Sequence, residues 1–128
     1  MIDLKTGTGT ILLVDDEEII TDVGKEMIQR LGYRVLIAKN GMEAVEIYRD
    51  HWQETVLVIL DMRMPGIGSE EIYDRLAAAN PAVKVLLATG LNDDEIVNAL
   101  LERGCKGILT KPFNIQQLSE KIHEVIST

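Results

Sequence analysis

The chain holds a single cysteine, Cys105, and only 4% of its 128 residues are aromatic: one Trp, one Phe and three Tyr. One thiol excludes an internal disulfide and suits a reducing compartment. With so few rings, the core has to be assembled from Val, Ile, Leu, Met and Ala. Positive charge is also scarce: 13 Lys and Arg stand against 21 Asp and Glu, for a formal net charge of −8. No Lys/Arg cluster interrupts that balance, so a nucleic-acid surface, which needs a basic patch, is not expected. A basic partner or a metal cation suits it better. The longest apolar run, Val56 to Leu60, falls far short of the roughly 20 residues that span a bilayer. No signal-peptide pattern opens the chain, so a cytoplasmic protein without membrane contact is expected.

What is present is aliphatic material in quantity: 46% of residues are hydrophobic and 27% charged, the balance of a globular chain. The length suits one domain. Residues 1–9, MIDLKTGTG, carry Gly and Thr without periodicity and read as a linker or cloning remnant ahead of a domain spanning 10–128. From Thr10 onward, short apolar runs alternate with segments of helical period. The runs are Ile11–Val14, YRVLIA, TVLVILD, VKVLLAT and Gly107–Thr110.

Between the runs, Ile19, Val23, Met27 and Leu31 form one helical stripe, ended by Gly32. Met42, Val45 and Tyr48 mark a second helix, and Ile72, Leu76 and Ala79 a third that follows the MPG turn at 64–66. Ile96, Val97, Leu100 and Leu101 mark a fourth, capped by Asn92 or Asp93 and stopped at Gly104. Ile115, Leu118, Ile122 and Val125 mark the last. Five strands and five helices in strict alternation predict a doubly wound α/β fold. Its expected form is a five-stranded parallel sheet of flavodoxin-like order 2-1-3-4-5 with helices on both faces.

Ligands of such sheets bind at the carboxyl ends of the strands, beside the point where strand order reverses. The residues expected there are Asp15 and Asp16 after the first strand, Asp61 after the third, Thr89 after the fourth and Lys111 after the fifth. Three carboxylates, a hydroxyl and an ammonium make a site for a divalent cation and an anionic group. Magnesium, which prefers hard oxygen ligands and is often held by one or two carboxylates plus a phosphate, fits that set. Asp61 is the candidate nucleophile, since it ends the most buried strand and a carboxylate can accept a phosphoryl group as an acyl phosphate. Magnesium, Lys111 and the Thr89 hydroxyl each suit one oxygen of a transferring phosphoryl group. Glu17 and Glu18 suit the start of a helix, where acids meet the positive end of the dipole. Asp15 and Asp16 read as repelling charges relieved by the cation. On that reading, replacing either by Ala stabilises the metal-free fold.

The blocks LLVDDEE, VILDMRMPG, LLATG and LTKPF resemble the motif blocks of the receiver domain of two-component response regulators, over about residues 10 to 127. The resemblance implies that Asp61 is the phosphoacceptor and Asp16 a direct magnesium ligand. It makes Asp15 an acid that supports the ion, often through water, and the Arg63 backbone carbonyl the third protein ligand. It assigns Thr89 as the switch hydroxyl and Lys111 as the cation pairing with the phosphoryl group, and implies a commonly cis Lys111–Pro112 bond. The implied donor is a phosphohistidine on a histidine kinase or a histidine phosphotransfer domain. The implied output is a shift in the region of the fourth helix, fifth strand and fifth helix. The pattern departs at Ile108, where receivers usually carry Tyr or Phe, so the usual aromatic switch has no ring here. Arg63 and Leu91 occupy variable positions that tune acyl-phosphate lifetime in the family. The lead-in KTGTGTILLVDDE is similar to the linker before a C-terminal receiver in hybrid histidine kinases, and a stand-alone regulator is the other reading.

Such a domain is a signalling module whose only catalysis is its own phosphorylation and dephosphorylation, within a parent protein that can itself be a kinase. Two other classes compete. A magnesium-dependent aspartyl-phosphate phosphatase would use the same ion and nucleophile, but the place of its second acid is taken by Arg63. A phosphorylation-independent interaction module would have no need of the five site residues. His51, His123, Trp52 and Tyr48 fit helix faces or ends and receive no role.

Overall fold

The computed structural model describes residues 4–64, 66–90 and 94–128. Its elements are β1 Thr10–Val14, α1 Glu18–Arg30, β2 Arg34–Ala38, α2 Gly41–His51, β3 Thr55–Asp61, α3 Ser69–Ala79, β4 Val85–Thr89, α4 Asp94–Arg103, β5 Gly107–Thr110 and α5 Ile115–Ile126. The strands run parallel in the order β2-β1-β3-β4-β5, as strict alternation predicts. Leu91, the Asn92 or Asp93 cap and Pro65 of the MPG turn lie outside the described residues.

The apolar strand runs follow from burial on both faces, because successive side chains point to opposite sides of a sheet. Leu12, Val14, Val58, Leu60, Val85 and Leu87 meet α2, α3 and α4 through Val45, Tyr48, Ile72, Leu76, Val97 and Leu100. Their neighbours Ile11, Leu13, Leu57, Ile59, Leu86 and Ala88 meet α1 and α5 through Ile28, Leu118, Ile122 and Val125. Each such aliphatic side chain stabilises the fold by roughly 1.5–3 kcal/mol through burial. The sheet is thereby fixed in register, and its carboxyl-end edge becomes a rigid platform.

Two helices turn a different face inward from the one their apolar residues suggest. In α1 the buried residues are Thr21, Gly24 and Ile28, followed by Leu31, whereas Ile19 is 77% and Val23 51% exposed. The cause is close approach. A Cβ on Gly24 would stand 2.9 Å from Leu13 Cδ2, so α1 packs through its smallest residue, while the Thr21 hydroxyl is satisfied by donating to the Glu18 carbonyl. In α4 only Val97 and Leu100 of the expected stripe are buried, with Ile96 and Leu101 on the solvent side. Met42 likewise faces outward from α2. Gly32 and Gly104 stop α1 and α4 with φ of +100° and +130°, as expected of glycine after a helix.

The described part of the lead-in is held against the domain. The Lys5 amide donates to Ser119 Oγ at 2.7 Å, and the same hydroxyl donates to the Lys5 carbonyl at 2.9 Å. Leu4 packs on the α1/α5 side of the core, and the Gly7 amide donates to the Leu31 carbonyl at 2.9 Å. One buried side chain of α5 therefore serves both polar groups of a peptide segment more than a hundred positions earlier. Ser119→Ala removes that double partner and is expected to lower stability by about 1 kcal/mol. Amide exchange at Lys5 and Gly7 should speed up in the same variant; unchanged protection at both would show that the hydroxyl does not hold the segment.

Candidate functional site

The carboxyl ends of β1, β3 and β5 bring the acidic and basic residues together because the three strands end within two residues of one another in register. Val14 pairs with Leu60 across β1 and β3, so Asp15 and Asp61 follow at the same level. Asp61 pairs with Ala88, and Thr89 with Thr110, which places Thr89 one step and Lys111 two steps further along the edge. The Lys111 amide donates to the Thr89 carbonyl at 2.8 Å, and the Lys111–Pro112 bond is cis.

Lys111 is the centre of the arrangement. Its Nζ donates to Asp15 Oδ2 at 2.8 Å and to Asp61 Oδ1 at 3.0 Å. Both acids are nearly closed off from solvent, at 2% and 4% exposure, whereas Asp16 is exposed. Carboxylate oxygens of Asp15, Asp16 and Asp61 lie within 4.8 Å of one another. Hard oxygen donors at that spacing, with more negative than positive charge among them, fit a small divalent cation such as magnesium. Asp61 Oδ1 also accepts the Arg63 amide at 3.3 Å, and Asp15 Oδ1 accepts the Glu17 amide at 2.9 Å. Asp15 thus takes up a donor at the start of α1, where Glu17 is the cap residue but makes no side-chain cap bond. The Thr89 hydroxyl is buried and donates to the Gly90 carbonyl at 3.2 Å.

The charges answer to this geometry. Burial pushes the Asp61 carboxyl above the usual aspartate range and the Asp15 charge adds to it, opposed by the Lys111 hydrogen bond and charge and by the Arg63 amide. Burial acts against the Lys111 ammonium, yet the hydrogen bonds and charges of Asp15 and Asp61 outweigh it and hold the group above the ordinary lysine value. Asp61 is therefore a buried carboxyl paired with one ammonium, on a rigid strand end. The apolar stripe expected of α1 meets this site from the side. Ile19, Val23, Met27, Pro112 and Phe113 line an open groove of about 410 Å³ whose wall includes Lys111. Sequence reasoning missed this groove because it read Ile19 and Val23 as core.

The two adjacent aspartates also part company. Asp15 has Lys111 and the Glu17 amide as partners, so it is not an unrelieved charge, whereas Asp16 faces solvent. The expectation that either Ala substitution stabilises the metal-free fold is thereby divided. Asp15→Ala forfeits two hydrogen bonds of an ionised group and should melt below Asp16→Ala, by about 1–3 kcal/mol in metal-free unfolding. Equal stabilities for the two variants would contradict the partner assignment.

A family model described as response regulator receiver domain matches residues 11–123. Sensor kinase CckA of Brucella abortus is 31% identical over 121 residues, covering 94% of this chain and 13% of that protein. Sporulation initiation phosphotransferase F of Bacillus subtilis is 28% identical over 116 residues, covering 91% of this chain and 92% of its own length. The crystal structure of a response regulator receiver domain protein from Clostridium thermocellum matches with a TM-score of 0.88 at 28% identity, over 93% of this chain and 94% of the other. The chain spans about a third or less of the length of several curated relatives that it matches.

Proposed function

Because the chain belongs to the response regulator receiver domains of two-component systems, we propose that Asp61 accepts a phosphoryl group from a phosphohistidine donor. Asp15, Asp16, Asp61 and the backbone carbonyl of Arg63 hold magnesium in this reading. The observation that carries it is the Lys111 ammonium, 3.0 Å from Asp61 Oδ1 and shared with Asp15 beside the open oxygens of Asp16. An oxygen of Asp61 attacks phosphorus; the new P–O bond forms as the N–P bond breaks, and the bonding pair returns to the imidazole nitrogen of the donor. Bound magnesium supplies charge neutralisation for the phosphoryl oxygens. Lys111 follows the charge from the carboxylate to the phosphoryl group. Thr89, at the adjoining strand end, reaches a second phosphoryl oxygen.

The new charge of about −1.5 to −2 draws on Lys111 and Thr89, which stand at the ends of β5 and β4, and so biases the α4-β5-α5 region. Ile108, partly buried against the α2/α3/α4 side of the core, takes part by aliphatic packing in place of a ring. We read residues 10–128 as the domain, entered through the lead-in. It acts in the cytoplasm either as a stand-alone regulator or as the receiver of a hybrid histidine kinase. No helix among the described residues is long and apolar enough to cross a membrane. Hydrolysis of an external phosphate ester is disfavoured, because the position two beyond Asp61 carries an exposed Arg63 where such enzymes place an acid.

Radiolabelled acetyl phosphate with magnesium should give one alkali-labile phosphate on wild-type protein. Asp61→Asn or excess chelator should lower incorporation at least a hundredfold. Persistent labelling of Asp61→Asn would sink the assignment.

The groove beside the site is the face for the donor. A phosphohistidine brought in line with Asp61 has to cover the groove wall that includes Lys111, and the exposed Ile19 and Val23 with the half-buried Phe113 offer apolar contact to the helix that carries it. Val23→Asp should slow transfer from a histidine phosphotransfer protein about tenfold and leave labelling by acetyl phosphate unchanged. Equal slowing of both would place the effect in the site and not in docking.

A further inference from the structure

The loop after Asp61 is closed by a hydrogen bond that the phosphoacceptor chemistry does not require by itself. Ser69 is the first residue of α3, and its neighbour Gly68 caps that helix without a side chain. A serine at the cap position would accept from the amides of the first turn, but Ser69 stands one residue inside the helix. Its Oγ is free to donate to the carbonyl of Met62, seven residues earlier, at 3.1 Å. The same peptide group is held from its other side, since the Arg63 amide donates to Asp61 Oδ1 at 3.3 Å. The Met62 amide, one peptide earlier, is bound to the Ala88 carbonyl of β4 at 3.1 Å. The Met62–Arg63 peptide plane is therefore pinned at its oxygen by α3 and at its nitrogen by the reacting carboxylate.

Fixing that plane limits where the next carbonyl, that of Arg63, can point. Gly66, with φ +101°, supplies the backbone turn that lets the chain come back to Ser69. We propose that Ser69 is a positioning residue for magnesium: by holding the Met62 carbonyl, it sets the direction of the Arg63 carbonyl and the orientation of the Asp61 carboxylate. The inference rests on the phosphoacceptor reading, which places both groups on the ion. Groups that orient metal ligands typically change affinity by 10–100-fold when removed. Ser69 acts one peptide away from the ligand and stands at the lower end of that range.

Calorimetric titration of magnesium into wild-type, Ser69→Ala and Ser69→Thr proteins tests it, together with amide exchange at Arg63 in the metal-free state. Ser69→Ala should bind magnesium about tenfold more weakly and expose the Arg63 amide to about tenfold faster exchange. Ser69→Thr, which keeps the hydroxyl, should restore both. Wild-type affinity and wild-type Arg63 exchange in Ser69→Ala would overturn the inference alone, as would a lowered melting temperature with unchanged magnesium affinity. A wild-type chain that binds no magnesium would bring down the phosphoacceptor reading, and this inference with it.

Discussion

Two carboxylates that water scarcely reaches are held by a single ammonium, and the fold is arranged to make that contact possible. Asp15 and Asp61 end two neighbouring strands, while Lys111 arrives from the far edge strand on the other side of β4. Taking such ions out of water costs several kcal/mol each, and their mutual attraction offsets this only with good geometry and further hydrogen bonds. The Glu17 and Arg63 amides supply those bonds. Two carboxylates already outnumber the one ammonium and Asp16 adds a third, a set that fits a cation without rearrangement of the strands. A site of this kind is maintained by the sheet and not by its loops.

The sheet in turn explains how much could be read in advance. Continuous runs such as TVLVILD have no polar face, which announces a strand covered on both sides, and alternation with helical stripes then leaves little choice of topology. The meeting of Asp15, Asp61 and Lys111 was legible for the same reason: each stands at or just past the end of such a run. The inward face of α1 was not. Hydrophobicity picks out Ile19 and Val23, but the approach of the helix to β1 is decided by Gly24 against Leu13, and a glycine carries no hydrophobic signal. The lead-in was illegible for a related reason. Its contacts are made largely by backbone groups of Lys5 and Gly7, to Ser119 and to the Leu31 carbonyl, and a Gly/Thr sequence looks the same whether those groups meet water or protein.

The different inward face of α1 has an outcome at the surface. Had Ile19 and Val23 been core, the border of the site would be polar; with Thr21 and Gly24 turned inward, it is aliphatic. That matters for how a phosphoryl donor is held. The chain carries a net charge of −8 and the donor group is itself anionic, so long-range attraction does not favour the encounter of the phosphoryl group with the acidic edge. Short-range apolar contact does not suffer this penalty. At about 25 cal/mol per Å² of apolar surface removed from water, covering Ile19, Val23 and Phe113 supplies favourable energy regardless of sign of charge.

Charge then acts only at close quarters, where it decides chemistry and not association. Screening at physiological ionic strength leaves a range of about 8 Å, so the Lys111 ammonium is felt mainly by a group already seated at the strand ends. Within that range Asp15 and Asp61 share one ammonium and leave an excess of negative charge, and each added charge must be answered locally. In the proposed function a cation relieves the acids, and a phosphoryl group then reclaims Lys111 from them. On the proposed function, an apolar face for docking beside an ionic site for transfer separates the two tasks in space, with the exposed side of α1 serving the first of them.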